Sequence, residues 1–133
     1  MSAYYCGADH YVLKDLDGWN VCMDQVLFDS YVTGDFVEIY LLRNIRHIEW
    51  LLEPASFTYL RDTTPIYVEK DSDWSMIYHY SSDWLTNNGY PAYWEKSVML
   101  DARNFLDWTW CQPAMLLHVL AYSWLDQYLG YDY

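Results

Sequence analysis

The sequence predicts an α+β domain: a small antiparallel sheet built from two β-hairpins and packed against two or three α-helices. Three observations lead there. The turn signals Asp15-Leu16-Asp17-Gly18 and Asp71-Ser72-Asp73 each separate two short runs rich in β-branched and aromatic residues. An apolar stripe of helical period runs between Asp35 and Pro54. Pro113 and Gly130, favoured at a helix start and just past a helix end, bracket a further helical pattern. At 133 residues the chain has the size of one domain, and one acidic domain is expected to fill 1–133.

Taken in order, Tyr4, Tyr5 and Cys6 are expected to add a short strand ahead of Gly7. Residues 11–13 and 19–23 form the arms of the first hairpin, and Asp17-Gly18 suits its tight turn. Asp35 with Glu38 three residues on is an acidic variant of the capping box, and Pro54 stops the helix it begins. Val37, Leu41, Ile45, Ile48 and Leu52 make that helix's inner stripe, with Arg43, Arg46, His47 and Glu53 on the other face. Residues 66–70 and 74–80 form the second hairpin, where Trp74, Met76, Tyr78 and Tyr80 alternate with Ser75, Ile77 and His79. Asn87-Asn88-Gly89 and Pro91 mark residues 81–96 as an irregular loop or short helical turn, and a short helix is expected over 101–110. The last helix should pack through Leu117, Leu120, Ala121, Trp124 and Tyr128. Its opposite half holds Met115, Leu116, Val119 and Tyr122, too apolar for a solvent face. The sheet, or a second copy in a homodimer, is expected to cover it.

Hydrophobic residues make up 53% and aromatics 20%, which excludes a disordered chain. Cys6, Cys22 and Cys111 are an odd number without a Cys-x-x-Cys pair, so free, buried thiols in a reducing compartment are expected. Residues 1–10 lack the basic and apolar regions of a signal peptide, and no run approaches the length of a membrane span; the expectation is a soluble cytoplasmic protein.

The segment Val12-Leu13-Lys14-Asp15-Leu16-Asp17-Gly18 resembles the nucleophile motif of haloacid-dehalogenase-type phosphatases, in which an apolar strand runs into Asp-x-Asp-Gly-Thr. The resemblance covers seven residues and implies Asp15 as nucleophile and Asp17 as acid. Trp19 stands where that family has Thr or Val, and a hairpin turn accounts for the same residues. Asp71-Ser72-Asp73 offers paired hard oxygens to a divalent cation, and a solvated turn tip explains it equally simply. Cys6, His10 and Cys22, with Cys111 or His118, are a sparse zinc set without the usual close ligand pairs. No nucleophile elbow and no glycine-rich phosphate loop occurs, so neither catalysis, a cofactor nor a metal is expected.

Charge is the most unusual feature. Nineteen acids against seven bases give a net charge of −12, equal to the phosphates of roughly six base pairs of duplex DNA. Such a field repels nucleic acid and anionic membranes and attracts basic protein surfaces. Asp9, Asp15, Asp17, Asp24, Asp29, Asp71 and Asp73 fall on or near the two expected turns, with Trp19 and Trp74 beside them. If both turns lie at one end of the sheet, they form a negative ridge with aromatic anchors. The expected function is a protein-binding inhibitor that docks on the basic surface of a nucleic-acid-processing protein. In style, though in no motif, such a chain resembles DNA-mimic anti-restriction and anti-CRISPR phage proteins. An immunity protein against a nuclease toxin, a small metal-dependent enzyme and a homo-oligomeric subunit are the alternatives.

Overall fold

A computed structural model describes residues 4–29, 33–72, 74–109 and 114–130. These residues form five α-helices and one five-stranded sheet, the α+β class that the sequence predicts.

Strands β1 (Tyr11–Leu16) and β2 (Trp19–Asp24) form the expected first hairpin. Leu16 faces Trp19, so the loop is Asp17-Gly18, with φ of 55° and 86°. A two-residue type I′ turn requires positive φ at both positions, and Gly18 supplies one of them without strain. Asp15 Oδ1 accepts from the Gly18 N–H at 2.7 Å. The Asp-x-Asp-Gly residues are thus used as turn chemistry.

The second hairpin does not form. Strand β3 (Ile66–Glu69) runs parallel to β2, and β4 (Met76–His79) lies at the far edge. Between them lies β5 (Ser97–Asp101), parallel to β3 and antiparallel to β4, giving the order β1-β2-β3-β5-β4. The sheet is therefore mixed, not antiparallel. Every residue of β5 is buried, so its Ser-Val-Met-Leu-Asp sequence shows no polar alternation to announce a strand, as is usual for a strand covered on both faces.

Helix α1 (Thr33–Leu51) buries Val37, Leu41, Ile45 and Ile48, the stripe read from the sequence. Helix α2 (Pro54–Thr63) was not anticipated: Pro54 ends one helix and also occupies the first turn of the next. Helices α3 (Ser82–Asn87) and α4 (Ala102–Trp108) are capped by the Ser81 hydroxyl and the Asp101 carboxylate. Residues 4–6 form no strand. Helix α5 (Met115–Ser123) continues into a π-helical turn, Trp124–Tyr128. It buries Leu116, Val119, Leu120 and Ser123, whereas Ala121 and Tyr128 are exposed. The buried face is offset by about one residue from the expected one within the regular helix itself, because Leu116 and Val119, from the half read as too apolar for solvent, pack into the core. Pro113, the expected start, lies outside the described residues.

One face of the sheet packs on α1, α2, α4 and α5 through Trp19, Val21, Met23, Ile66, Val68, Val98 and Leu100. The other carries Cys22, Tyr67 and Met99 and is covered by Cys6, Trp74, Tyr93 and Trp94. Cys6 and Cys22 form a disulfide, which corrects the expectation of free thiols at these positions. It also dissolves the zinc set built on them; Cys111 lies outside the described residues. Gly7, at φ 93°, presses on the Tyr93 ring, where any Cβ would sit 2.4 Å from Cγ. Among the described residues, no helix is long and apolar enough to cross a membrane.

Candidate functional site

The topology decides where the acids go. Strands β2, β3 and β5 are parallel, so Asp24, Glu69 and Asp101 at their C-terminal ends share one end of the sheet. Tyr11 pairs with Asp24, which places Asp9 and His10 there too, and Asp71 follows two residues after Glu69. The β1–β2 turn with Asp15 and Asp17 sits at the opposite end, where β2 begins. The two turns therefore do not build one ridge. Beside Asp17, a hydrogen bond with that carboxylate pushes the exposed Glu49 above the usual carboxylate range, opposed by Arg61 and Arg46. Asp29 is exposed after the 3-10 turn Gln25–Phe28, and Asp73 lies outside the described residues. Trp19 is fully buried, its indole Nε1 donating to the Thr64 carbonyl at 2.6 Å. It anchors the core and is unavailable to a partner. Trp74, by contrast, lines a surface cleft.

At the strand-end cluster, ligand atoms of His10, Asp24 and Glu69 lie within 4.8 Å of one another. Burial raises Glu69 above the usual carboxylate range, and a hydrogen bond donated by the Tyr11 hydroxyl draws it back down. Burial likewise keeps that hydroxyl protonated. Asp24 and Asp101 also serve the backbone, accepting from Val26 N and from Ser72 N and Asn104 N. One imidazole and two carboxylates are a donor set that a divalent cation can use.

Two clefts lie along β4, and a third opens beside this cluster at Glu69. One, about 390 Å³, runs between β4 and α5 and is lined by Met76, Tyr78, Tyr80, His118, Val119 and Tyr122. Its floor is fixed: the Tyr78 hydroxyl donates to Asp126 at 2.6 Å, and Lys96 Nζ reaches the same carboxylate at 2.7 Å. A second cleft, about 130 Å³, lies across β4 against α3 and takes in Ile77, His79, Ser81 and Trp84. A third, about 100 Å³, is bounded by Glu69, Asp71, Ser72, Trp74, Tyr90 and Trp94. The apolar half of the last helix was the sequence signal for the first cleft. Asp71 and Trp74, singled out in the sequence, line the third cleft, but their meeting with Glu69, Tyr90 and Trp94, like the second cleft, comes only through the strand order.

His79 has 3% of its surface exposed, stacks on Trp94 at 5.5 Å, and its Nε2 has no hydrogen-bond partner. Burial lowers its pKa to about 4. The unfolded chain, with His near 6.5, therefore binds more protons between pH 6.5 and 4, so this contribution is lost on acidification. Wild-type stability is expected to fall by about 2 kcal/mol more than that of His79→Phe between pH 6.5 and 5. Raised Glu69 acts in the opposite sense in both proteins. Urea midpoints of the two proteins across that range measure the difference, and parallel curves would refute a buried neutral imidazole.

No protein-family model, curated protein or solved structure matches this chain.

Proposed function

We propose that the chain is a protein-binding module that takes an extended, basic segment of a partner protein as an added strand along β4. The observation that carries this reading is the position of β4. It is an edge strand with a cleft on each side, one against α5 and one against α3. Side chains of an added strand point alternately to the two faces, so they would enter both clefts while the main chain pairs with the edge. Asp101 N donates to the Ser75 carbonyl, which sets the alternation of the ladder with β5. The N–H and C=O of Met76 and Tyr78 then turn to the open edge.

Charge supports a basic partner. A net −12 steers basic segments toward the surface and disfavours acidic ones. Proteins that handle nucleic acid carry such segments, and occupying one would block access of the nucleic acid. Inhibition by that occupancy is the role this reading assigns, with the edge of β4 replacing the two-turn ridge.

The test is selection of binders from a library of extended peptides, followed by amide hydrogen exchange on the complex. Lys/Arg-containing peptides that slow exchange at Met76 and Tyr78 are expected. Selected peptides that protect only other segments would defeat the proposal. Met76→Pro removes an outward N–H and spares the bonds to β5. It is expected to weaken binding roughly tenfold relative to Met76→Ala, about 1.4 kcal/mol.

A further inference from the structure

The third cleft is a different site, separate from the β4 edge and independent of the reading given for it. Three rings form its walls. The Trp74 and Tyr90 centroids are 4.9 Å apart at 50°, and those of Tyr90 and Trp94 are 5.9 Å apart at 26°. Glu69 and Asp71 supply two carboxylates, and Ser72 completes the lining.

The walls are held from behind. Trp84 stacks on Tyr90 at 6.0 Å and 7°, and His79 stacks on Trp94 at 5.5 Å and 15°. Trp94 Nε1 donates to the Tyr11 hydroxyl at 3.2 Å, which orients the indole. The Ser72 hydroxyl accepts from Trp74 N at 3.1 Å, and Ser72 N donates to Asp101 at 3.0 Å, fixing the loop that carries Trp74. The rings are therefore positioned before anything binds.

Aromatic faces carry negative potential and attract cations, most of all weakly hydrated ones that cannot gain strong hydrogen bonds elsewhere. Two carboxylates add charge of the same sense. The ion pairs of the described residues are Lys14–Glu38, Arg61–Asp62 and Lys96–Asp126, so no described Lys or Arg bridges Glu69 or Asp71. The cleft's volume of about 100 Å³, roughly three water molecules at ~30 Å³ each, admits a small ammonium head group.

We propose that the cleft between Trp74, Tyr90 and Trp94 binds a methylated ammonium group, with Glu69 and Asp71 balancing its charge. The same head group occurs on N-methylated lysine side chains and on free choline-type molecules. Both offer a cation whose surface is apolar, which matches rings and carboxylates together.

The experiment titrates the full chain with tetramethylammonium, choline, and choline's neutral carbon isostere 3,3-dimethylbutanol, following the Trp indole N–H resonances. Dissociation constants on the order of 1 mM are expected for the two cations. The expected response is confined to the resonances of Trp74, Trp94 and their neighbour Trp84, with at least roughly tenfold weaker binding of the isostere. Equal binding of the isostere, or cation-induced shifts only at other indoles, would overturn the proposal. So would silence well above that concentration. Tyr90→Leu keeps apolar volume and removes a π face, and Asp71→Asn changes an exposed carboxylate. Each is expected to weaken choline several-fold while thermal melting stays cooperative, and unchanged affinity in both variants would also overturn the proposal. A trimethyl-lysine peptide run against its unmodified form distinguishes the sources: tighter binding than choline assigns a modified side chain, and weaker binding a free head group.

Discussion

Replacing Trp19 by alanine is expected to destabilise the protein by about 3–5 kcal/mol, a large fraction of the roughly 5–15 kcal/mol that holds a domain folded. Trp19 has no exposed surface and packs edge-on against Phe57 at 5.6 Å. Its indole N–H satisfies the Thr64 carbonyl, and Thr64 Oγ1 in turn meets Ser123 Oγ at 2.5 Å. One side chain thus joins the first turn of the sheet, the end of α2 and the end of α5. Alanine leaves both a cavity and an unpaired buried carbonyl. Trp19→Phe separates the two losses: it refills much of the volume and should cost about 1–3 kcal/mol for the orphaned acceptor. Trp50, 81% exposed on α1, provides the contrast, since Trp50→Ala should stay within about 0.5 kcal/mol of wild type. Urea denaturation of the three variants checks the order. Equal midpoints for Trp19→Ala and Trp50→Ala would show that Trp19 is not the buried anchor described.

That contrast marks what the sequence could and could not reveal. Local chemistry was legible. Asp17-Gly18 demanded a tight turn and made one, and the stripe from Val37 to Ile48 is the buried face of α1. The pairing of strands was not legible, because adjacency in sequence suggested a hairpin between β3 and β4. Local signals could not reveal that the buried β5 would separate them. The parallel pairing of β3 with β2 makes the sheet mixed and sends the Asp71 turn to the opposite end from Asp15 and Asp17, while β5 takes the place beside β3 that a hairpin would have given β4. The same limit applies to the sites. The helix with too many apolar residues pointed to its cleft, since Met115, His118, Val119 and Tyr122 do line it. The ring-walled cleft joins Glu69 to Trp94 across 25 residues of sequence, and no local pattern encodes that meeting. Trp19 next to an acidic turn suggested a surface anchor; its position opposite Leu16, facing the helices, puts it in the core.

Removing the Cys6–Cys22 bridge is expected to lower stability by about 3 kcal/mol, the loop-entropy value for a closed segment of roughly this length. The bonded cysteines are 16 residues apart in sequence. Both are buried, and the Tyr67 hydroxyl donates to the Cys6 carbonyl at 2.7 Å, so the bridge pins the N-terminal segment over the second face of the sheet. An Ellman titration of protein unfolded without reductant should find two fewer thiols than one unfolded with it. Equal counts would refute the bridge. The Cys6→Ala/Cys22→Ala variant should then show the stability loss without any reductant present. Its binding consequences should differ between the two clefts. Gly7 beside Cys6 packs on Tyr93, whose ring meets Trp94 edge-on at 6.4 Å, so a loosened N-terminal segment frees a wall of the ammonium cleft. The β4 edge lies on the other side of β3 and β5 from the bridge and is held by Asp126 and α5. Choline affinity should therefore fall in the variant while peptide protection of Met76 and Tyr78 persists. Loss of both together would instead mean that the bridge sustains the whole fold, and retention of both would mean that the N-terminal segment supports neither cleft.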